Sequence, residues 1–247
     1  MNRLILQGLC GGVGTTAVLC GLALALHEQG ERVLLIDGSP HDLARLHFGD
    51  ELANTTGWAR AHLDGIAWNE ALEVRPGLQV LPYGRLAKAE IRQIDRLMAQ
   101  QPEFWPTRCT QLRPYHDWVL FDLPSISGDS HAARTEHDGV DLLIDVATPT
   151  PACHAVLHRA ADRQPDLMLI NRFNPASQLQ RDLVLLWRVA YSPAQAPQII
   201  HEDEAVAEAL AHKLPVGLYA PHSQAAGDLR NLALWCLARK KAGTRHA

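Results

Sequence analysis

Along the chain, short runs of Leu, Ile and Val alternate with longer stretches whose apolar residues recur at helical spacing. The runs at residues 3–7, 32–36, 78–81, 117–121, 140–147, 166–170 and 198–200 read as strands. Helical segments are predicted at 16–29, 87–101, 128–137, 153–163, 177–190, 203–213 and 223–240. Gly30 stands where a left-handed residue would close the first of these helices. This alternation is the pattern of a mostly parallel sheet covered by helices on both faces. Residues 40–76, with Trp58 and Trp68, read as a helical insertion between the second and third strands. No Pro- or Ser-rich linker and no repeat divides the chain. A single α/β domain over residues 1–247 is therefore expected, with a twisted sheet of seven or eight strands and a flexible tail at 241–247.

In such sheets, ligands bind beyond the carboxyl ends of the strands. The polar residues delivered there are the loop Gly11-Gly12-Val13-Gly14-Thr15-Thr16 after the first strand, Asp37 after the second, Asp122 in the strand ending Leu120-Phe121, and Asn171. A loop that wraps phosphate needs glycines, because backbone N–H groups must turn inward. The helix that follows adds its dipole and free N–H groups at the same point. Three glycines in four residues are more than a tight turn requires, so the loop reads as a phosphate cradle.

Two kinds of nucleotide site compete for it. Residues 12–17 fit G-x-G-x-x-A, and Asp37 lies at the end of the next strand, as in dinucleotide-binding proteins. A NAD(P)-dependent oxidoreductase would, however, need a substrate domain for which there is no obvious room. Against that reading, Thr16 sits where a nucleoside-triphosphate loop places its Mg²⁺-binding hydroxyl, and Asp122 supplies the acid of a Walker B strand. The Walker A pattern itself is broken twice: Leu9 replaces its first glycine and Thr15 its lysine. A unit charge about 4 Å from phosphate contributes roughly 4 kcal/mol at an effective dielectric near 20, before desolvation. Backbone donors and Mg²⁺ can sustain binding without that charge, whereas rapid phosphoryl transfer is not expected.

Composition narrows the setting. A net charge of −4 gives no basic face for nucleic acid, and no partner of that kind is expected. The 13 histidines are scattered, and His27 and His47 read as surface residues rather than ligands. Five cysteines, Cys10, Cys20, Cys109, Cys153 and Cys236, show no C-x-x-C spacing, which suits a reducing compartment. No apolar stretch reaches the roughly 18 residues of a membrane span, and no signal peptide is read, so a cytoplasmic protein is expected.

The loop, the strand-end acids and several further segments together resemble the MinD/ParA branch of deviant-Walker P-loop ATPases, and within it the cellulose-biosynthesis members. The likeness runs through Gly57-Trp58-Ala59-Arg60-Ala61, Leu63-Asp64-Gly65, Asp122-Leu123-Pro124, His201-Glu202-Asp203-Glu204-Ala205, Pro215-Val216-Gly217 and Trp235-Cys236-Leu237. It implies a P-loop NTPase fold with ATP or ADP held by Gly11, Gly12, Val13, Gly14 and Thr15. It further implies Mg²⁺ on Thr16 and Asp122, with Asp37 in support and as the one candidate catalytic acid. Asn171, followed by Arg172, matches the adenine-reading asparagine, and Pro215 is placed to line the base. Three departures stand out. Cys10 replaces the signature lysine, Thr15 the P-loop lysine, and Ser39 the aspartate that prepares the attacking water. All three fall on charge stabilisation or water activation.

The resemblance thus implies a nucleotide-sandwiched homodimer that scaffolds or regulates cellulose secretion with weak or no hydrolysis. Its implied partners are the small protein BcsR, the regulatory protein BcsE and the synthase complex, with indirect or peripheral recruitment to the inner membrane. The alternative within the family is an active ATPase switch that positions the machinery. The last helix, although it ends in Arg239-Lys240-Lys241, has too broad an apolar face for a purely interfacial role and is expected to pack on the sheet.

Overall fold

The computed structural model describes residues 1–75, 78–125, 140–159, 167–191 and 195–244. Among them the chain forms strands β1 (Asn2–Gly8), β2 (Val33–Asp37), β3 (Glu73–Arg75), β4 (Leu78–Leu81), β5 (Trp118–Leu123), β6 (Leu142–Ala147), β7 (Leu167–Phe173) and β8 (Gln195–His201). These build one eight-stranded sheet in the order β3-β4-β2-β5-β1-β6-β7-β8. Every pairing is parallel except β3 with β4. The helices are α1 (Thr15–Glu28), α2 (Trp58–Leu63), α3 (Lys88–Gln100), α4 (Phe104–Leu112), α5 (Pro151–Arg159), α6 (Gln178–Tyr191), α7 (Ala205–Ala211), α8 (Val216–Tyr219) and α9 (Gln224–Thr244).

Strand alternation sends neighbouring residues into two cores. Leu4 and Leu6 of β1 join Leu19, Leu22 and Leu26 of α1 and Leu229 and Leu232 of α9 on one face. Ile5 joins Leu34, Ile36, Val119 and Phe121 with Trp58 and Phe104 on the other. With both faces covered, the strands are apolar almost throughout, which is why the sheet could be read from the sequence. α9 packs against α1 and β8, burying Ala225, Ala226, Leu229, Leu232, Ala233 and Cys236. Lys240 is tied to Glu31 at 2.6 Å. Among the described residues, no helix is long and apolar enough to cross a membrane.

Several expectations need correction. The segment read as a helical insertion is only partly helical: residues 40–75 form a 3-10 turn at Ala44–Phe48, the short α2, a second 3-10 turn at Trp68–Ala71 and the antiparallel β3. Asp42, Gly49 and Gly65 adopt left-handed backbone at φ 53, 84 and 70°, and each such residue turns the chain out of a continuing helix. The sequence pattern predicts no helix at α4, whose Pro106 sits in the first turn, where a missing N–H costs nothing. The helix read at 203–213 is α7 alone, ended by left-handed Lys213, and α8 follows Pro215. β7 runs on to Phe173, so Asn171 lies within the strand. α9 continues to Thr244 into the expected tail. The helix read at 128–137 lies outside the described residues.

Candidate nucleotide-binding site

β1 ends at Gly8, and the chain turns through the glycine loop into α1 at Thr15. Gly14, the N-cap of α1, has φ 86° and ψ 23°, and no side chain caps the helix. The first N–H groups of α1 therefore face outward without a side-chain acceptor, the arrangement that receives a phosphate oxygen. Gly14 is required twice over. Its φ is left-handed, and a Cβ there would stand 2.7 Å from the Asn171 amide nitrogen. Gly12 also needs positive φ, at 77°.

Thr16, one turn-step further, donates its hydroxyl to Asp122 Oδ2 at 2.6 Å. β5 sets Asp122 beside Asp37 of β2 in register. Both carboxyls are buried, at 1% and 0% exposure. Burial pushes Asp122 up to about 7, partly countered by the Thr16 hydroxyl. Burial and the neighbouring Asp122 charge raise Asp37 well above the carboxylate range. A hydroxyl and a desolvated carboxyl without a counter-charge form an all-oxygen donor set that fits a hard divalent cation such as Mg²⁺.

Asp37 does not reach the cavity. Its oxygens accept the Ser39 N–H at 2.8 Å and the Ala44 N–H at 3.1 Å, so it shapes the turn behind Asp122. The same burial removes the acid that a dinucleotide site would offer a ribose hydroxyl. Trp58 fixes this corner by donating Nε1–H to the Asp37 carbonyl at 2.8 Å. The Gly57-Trp58 pair is explained by contact. A Cβ on Gly57 would lie 2.1 Å from the Gly84 nitrogen, and Trp58 and Ala59 N–H bond the Pro82 and Tyr83 carbonyls.

Two cavities open on the loop. The phosphate side, about 320 Å³, is lined by residues 10–17 with Ser39, Asp122, Ser125 and Arg172. The second, about 380 Å³, is lined by Asn171, Arg172 and residues 200–204 with Val206 and Ala207. Gly14, Ala17, His47, Arg172 and Leu210 belong to both, so the two are continuous in a volume suited to a nucleotide. Asn171 is brought to the loop, where its amide donates to the Val13 carbonyl at 2.8 Å. Pro215 caps α8 and lines neither cavity.

His47, expected at the surface, is 3% exposed, because the 3-10 turn that carries it packs on α1. Burial lowers its imidazole to about 4, so it is neutral at pH 7 and stands between the two cavities. No spacing in the sequence signals it. Residues 201–204, to which the sequence pattern alone gives no role, form a wall of the second cavity at the end of β8 and the start of α7. Cys10, at the signature-lysine position, packs on the core, with its sulfur 3.2 Å from Cys153 Sγ. Burial, with the Cys153 thiol, pushes the Cys10 thiol up to about 12, which suits a packing residue rather than a nucleophile.

Comparison with known proteins agrees with this architecture. Over most of its length the chain resembles the MinD complexed with Mg-ADP from Pyrococcus horikoshii, with a TM-score of 0.70, 20% identity and 94% of each chain covered. It also resembles a ParA family ATPase from Chlorobium tepidum, with a TM-score of 0.71 and 20% identity over 94% of this chain and 98% of that one. These likenesses show the P-loop ATPase fold. In sequence, it is 37% identical over 250 residues to the cellulose biosynthesis protein BcsQ of Escherichia coli K12, covering 96% of this chain and 94% of the relative. The Salmonella typhi BcsQ is 36% identical over 247 residues, with the same coverage. Residues 1–237 match the family model described as cellulose biosynthesis protein BcsQ. The chain belongs to the BcsQ family of cellulose biosynthesis proteins.

Proposed function

We propose that the protein binds ATP with Mg²⁺ and serves as a nucleotide-sandwiched homodimeric scaffold or regulator of the cellulose secretion machinery, with weak or no hydrolysis. The observation that carries this reading is the pairing of an intact cradle with missing cations. Thr16 is bonded to a buried Asp122 beneath the uncapped start of α1, while Cys10 and Thr15 stand where the deviant-Walker loop pattern has lysines. In this reading the main-chain N–H groups of residues 11–15 hold the phosphates, and Thr16 and Asp122 hold the metal, with Asp37 behind them. Mg²⁺, when bound, neutralises phosphate charge and orients the β and γ groups. Asn171 fixes the loop through Val13, and Ser39, at the water-activating position, has no carboxylate to accept a proton. Ligand binding of this kind stabilises the fold by about 4 kcal/mol when free ligand exceeds Kd a thousandfold.

Structural relatives solved with magnesium and nucleotide support the ligand class, among them a cobyrinic acid a,c-diamide synthase from Mycobacterium smegmatis with bound ATP analog and magnesium. BcsR, BcsE and the synthase complex are the proposed partners, with recruitment to the inner membrane through them. The test is the nucleotide retained by protein purified without added ligand. Intact ATP with Mg²⁺ is expected. Retained ADP, or turnover at the pace of active family ATPases once BcsR and BcsE are added, would replace the scaffold with an ATPase switch.

A further inference from the structure

The pairing of β7 with β8 slips by one residue at the site. Ile170 faces Ile199 and Phe173 faces His201, so three steps along β7 span two along β8. The extra residue is a bulge at Asn171-Arg172, and Arg172 takes φ 54°, in the left-handed region that non-glycine residues seldom occupy. Bulges re-aim a side chain, and strain of this kind concentrates at ligand sites. Here the result is specific. The Arg172 guanidinium lies over the N-cap of α1, with Nε 3.6 Å and Nη2 3.7 Å from the point a Cβ on Gly14 would occupy.

Arg172 is the only lysine or arginine among the described residues that lines either cavity, and it lines both. Its side chain is exposed and takes no hydrogen bond or ion pair within the described residues. Two of the three acids on the second cavity are already engaged. Glu202 accepts from Asn174 Nδ2 at 3.1 Å, and Asp203 accepts the Ala205 and Ala225 N–H groups, each at 3.0 Å. A polyanion entering over Gly14 therefore meets one uncommitted cation, whose planar fork matches two phosphate oxygens.

We propose that Arg172, delivered by the β7 bulge, supplies to the phosphate chain of the bound nucleotide the positive charge that Thr15 does not, and so sets the preference of the site for polyphosphate. The proposal rests on the nucleotide reading above. It is tested by calorimetric titration of Mg·ATP into wild-type protein, Arg172→Gln and Arg172→Lys, each repeated with Thr15→Lys. Gln removes the charge and shortens the side chain, whereas Lys keeps the charge and most of the reach, so the two variants together separate a loss of charge from a loss of bulk. Arg172→Gln is expected to bind Mg·ATP about ten- to a hundredfold more weakly. Arg172→Lys, which keeps the charge without the fork, should lose less than Arg172→Gln. With Thr15→Lys, which restores a cation from the loop, the cost of Arg172→Gln should shrink.

Wild-type and Arg172→Gln proteins that bind Mg·ATP equally well would overturn Arg172's part and leave the nucleotide reading standing. A loss that persists in full alongside Thr15→Lys would overturn it too, since it would mark a structural role. Wild-type protein that binds no nucleotide would overturn the nucleotide reading itself, and this role with it.

Discussion

Two segments leave the carboxyl edge of the sheet, and they treat their polar groups in opposite ways. After β2, residues 40–72 settle nearly everything internally. Arg45 is 2% exposed and meets Asp50 at 2.9 Å, Glu73 at 2.8 Å and Asp42 at 3.4 Å, and it also donates to the Asn54 and Thr56 carbonyls. After β1, the glycine loop leaves the start of α1 uncapped, and the nearby Arg172 has no partner among the described residues. One arginine is neutralised by three acids and builds structure. The other is held in a strained conformation and left available. The contrast separates a region whose stability is complete within the chain from one whose polar groups are completed by a ligand.

The sharpest way to break that contrast is Arg45→Met. It would leave Asp42, Asp50 and Glu73 facing one another without a cation, and a loss of about 3–5 kcal/mol is expected from urea denaturation. A loss below about 1 kcal/mol would place Arg45 among ordinary surface pairs and dissolve the comparison.

Next come the glycines of the loop. Gly14→Ala forces a Cβ onto the Asn171 amide in left-handed backbone and should cost about 1–3 kcal/mol of stability. Gly11→Ala has room, its nearest neighbour being Ser125 Oγ at 4.0 Å, and should stay within about 0.5 kcal/mol. Thermal melts of the two variants in nucleotide-free protein should separate them clearly. Equal costs would mean that the loop tolerates or rejects side chains for reasons other than those geometries.

A third expected effect is a pH dependence. Asp122, unfolded near pH 4 and folded at about 7, holds a proton more tightly in the native state. Its contribution to stability is present at low pH and is lost as pH rises through 7. His47, held at about 4, acts in the opposite sense between roughly 4 and 6.5, so the reading is best taken as wild type against Asp122→Asn. In metal-free protein, wild type should lose Tm relative to Asp122→Asn from pH 5 to 8, and Mg²⁺ should restore it at pH 8. Parallel curves with and without Mg²⁺ would remove Asp122 from the metal site.

How much of this could be read from the chain depends on which interactions are local. The strands were legible because both faces are buried, and Gly12, Gly14 and Thr16 because a phosphate loop is a contiguous device. Asp122 was legible as a strand-end acid. The insertion was not, because its form is set by left-handed turns and by Arg45 contacts reaching to Glu73, which no helical period encodes. Trp58 looked like insertion material and proves to be the prop under Asp37. His47 and the Arg172 bulge were beyond reach for the same reason. Their positions come from packing on α1 and from the register of β7 on β8, and neither leaves a spacing in the sequence.

The central place of β1 has a consequence for how the molecule is made. Its neighbours are β5 and β6, so the first strand synthesised has no hydrogen-bonded partner until residues 118–123 have emerged and lacks its second until residues 142–147 follow. Loops of that length make the joining of β1 to the sheet a late, non-local event. The glycine loop leaves the ribosome first, yet it becomes a site only after β5 has delivered Asp122 and β7 has delivered Asn171 and Arg172. An N-terminal fragment of even two thirds of the chain would therefore have the whole loop motif and no finished place for a nucleotide. For a nascent chain, nucleotide capture would be a signal that synthesis is nearly complete.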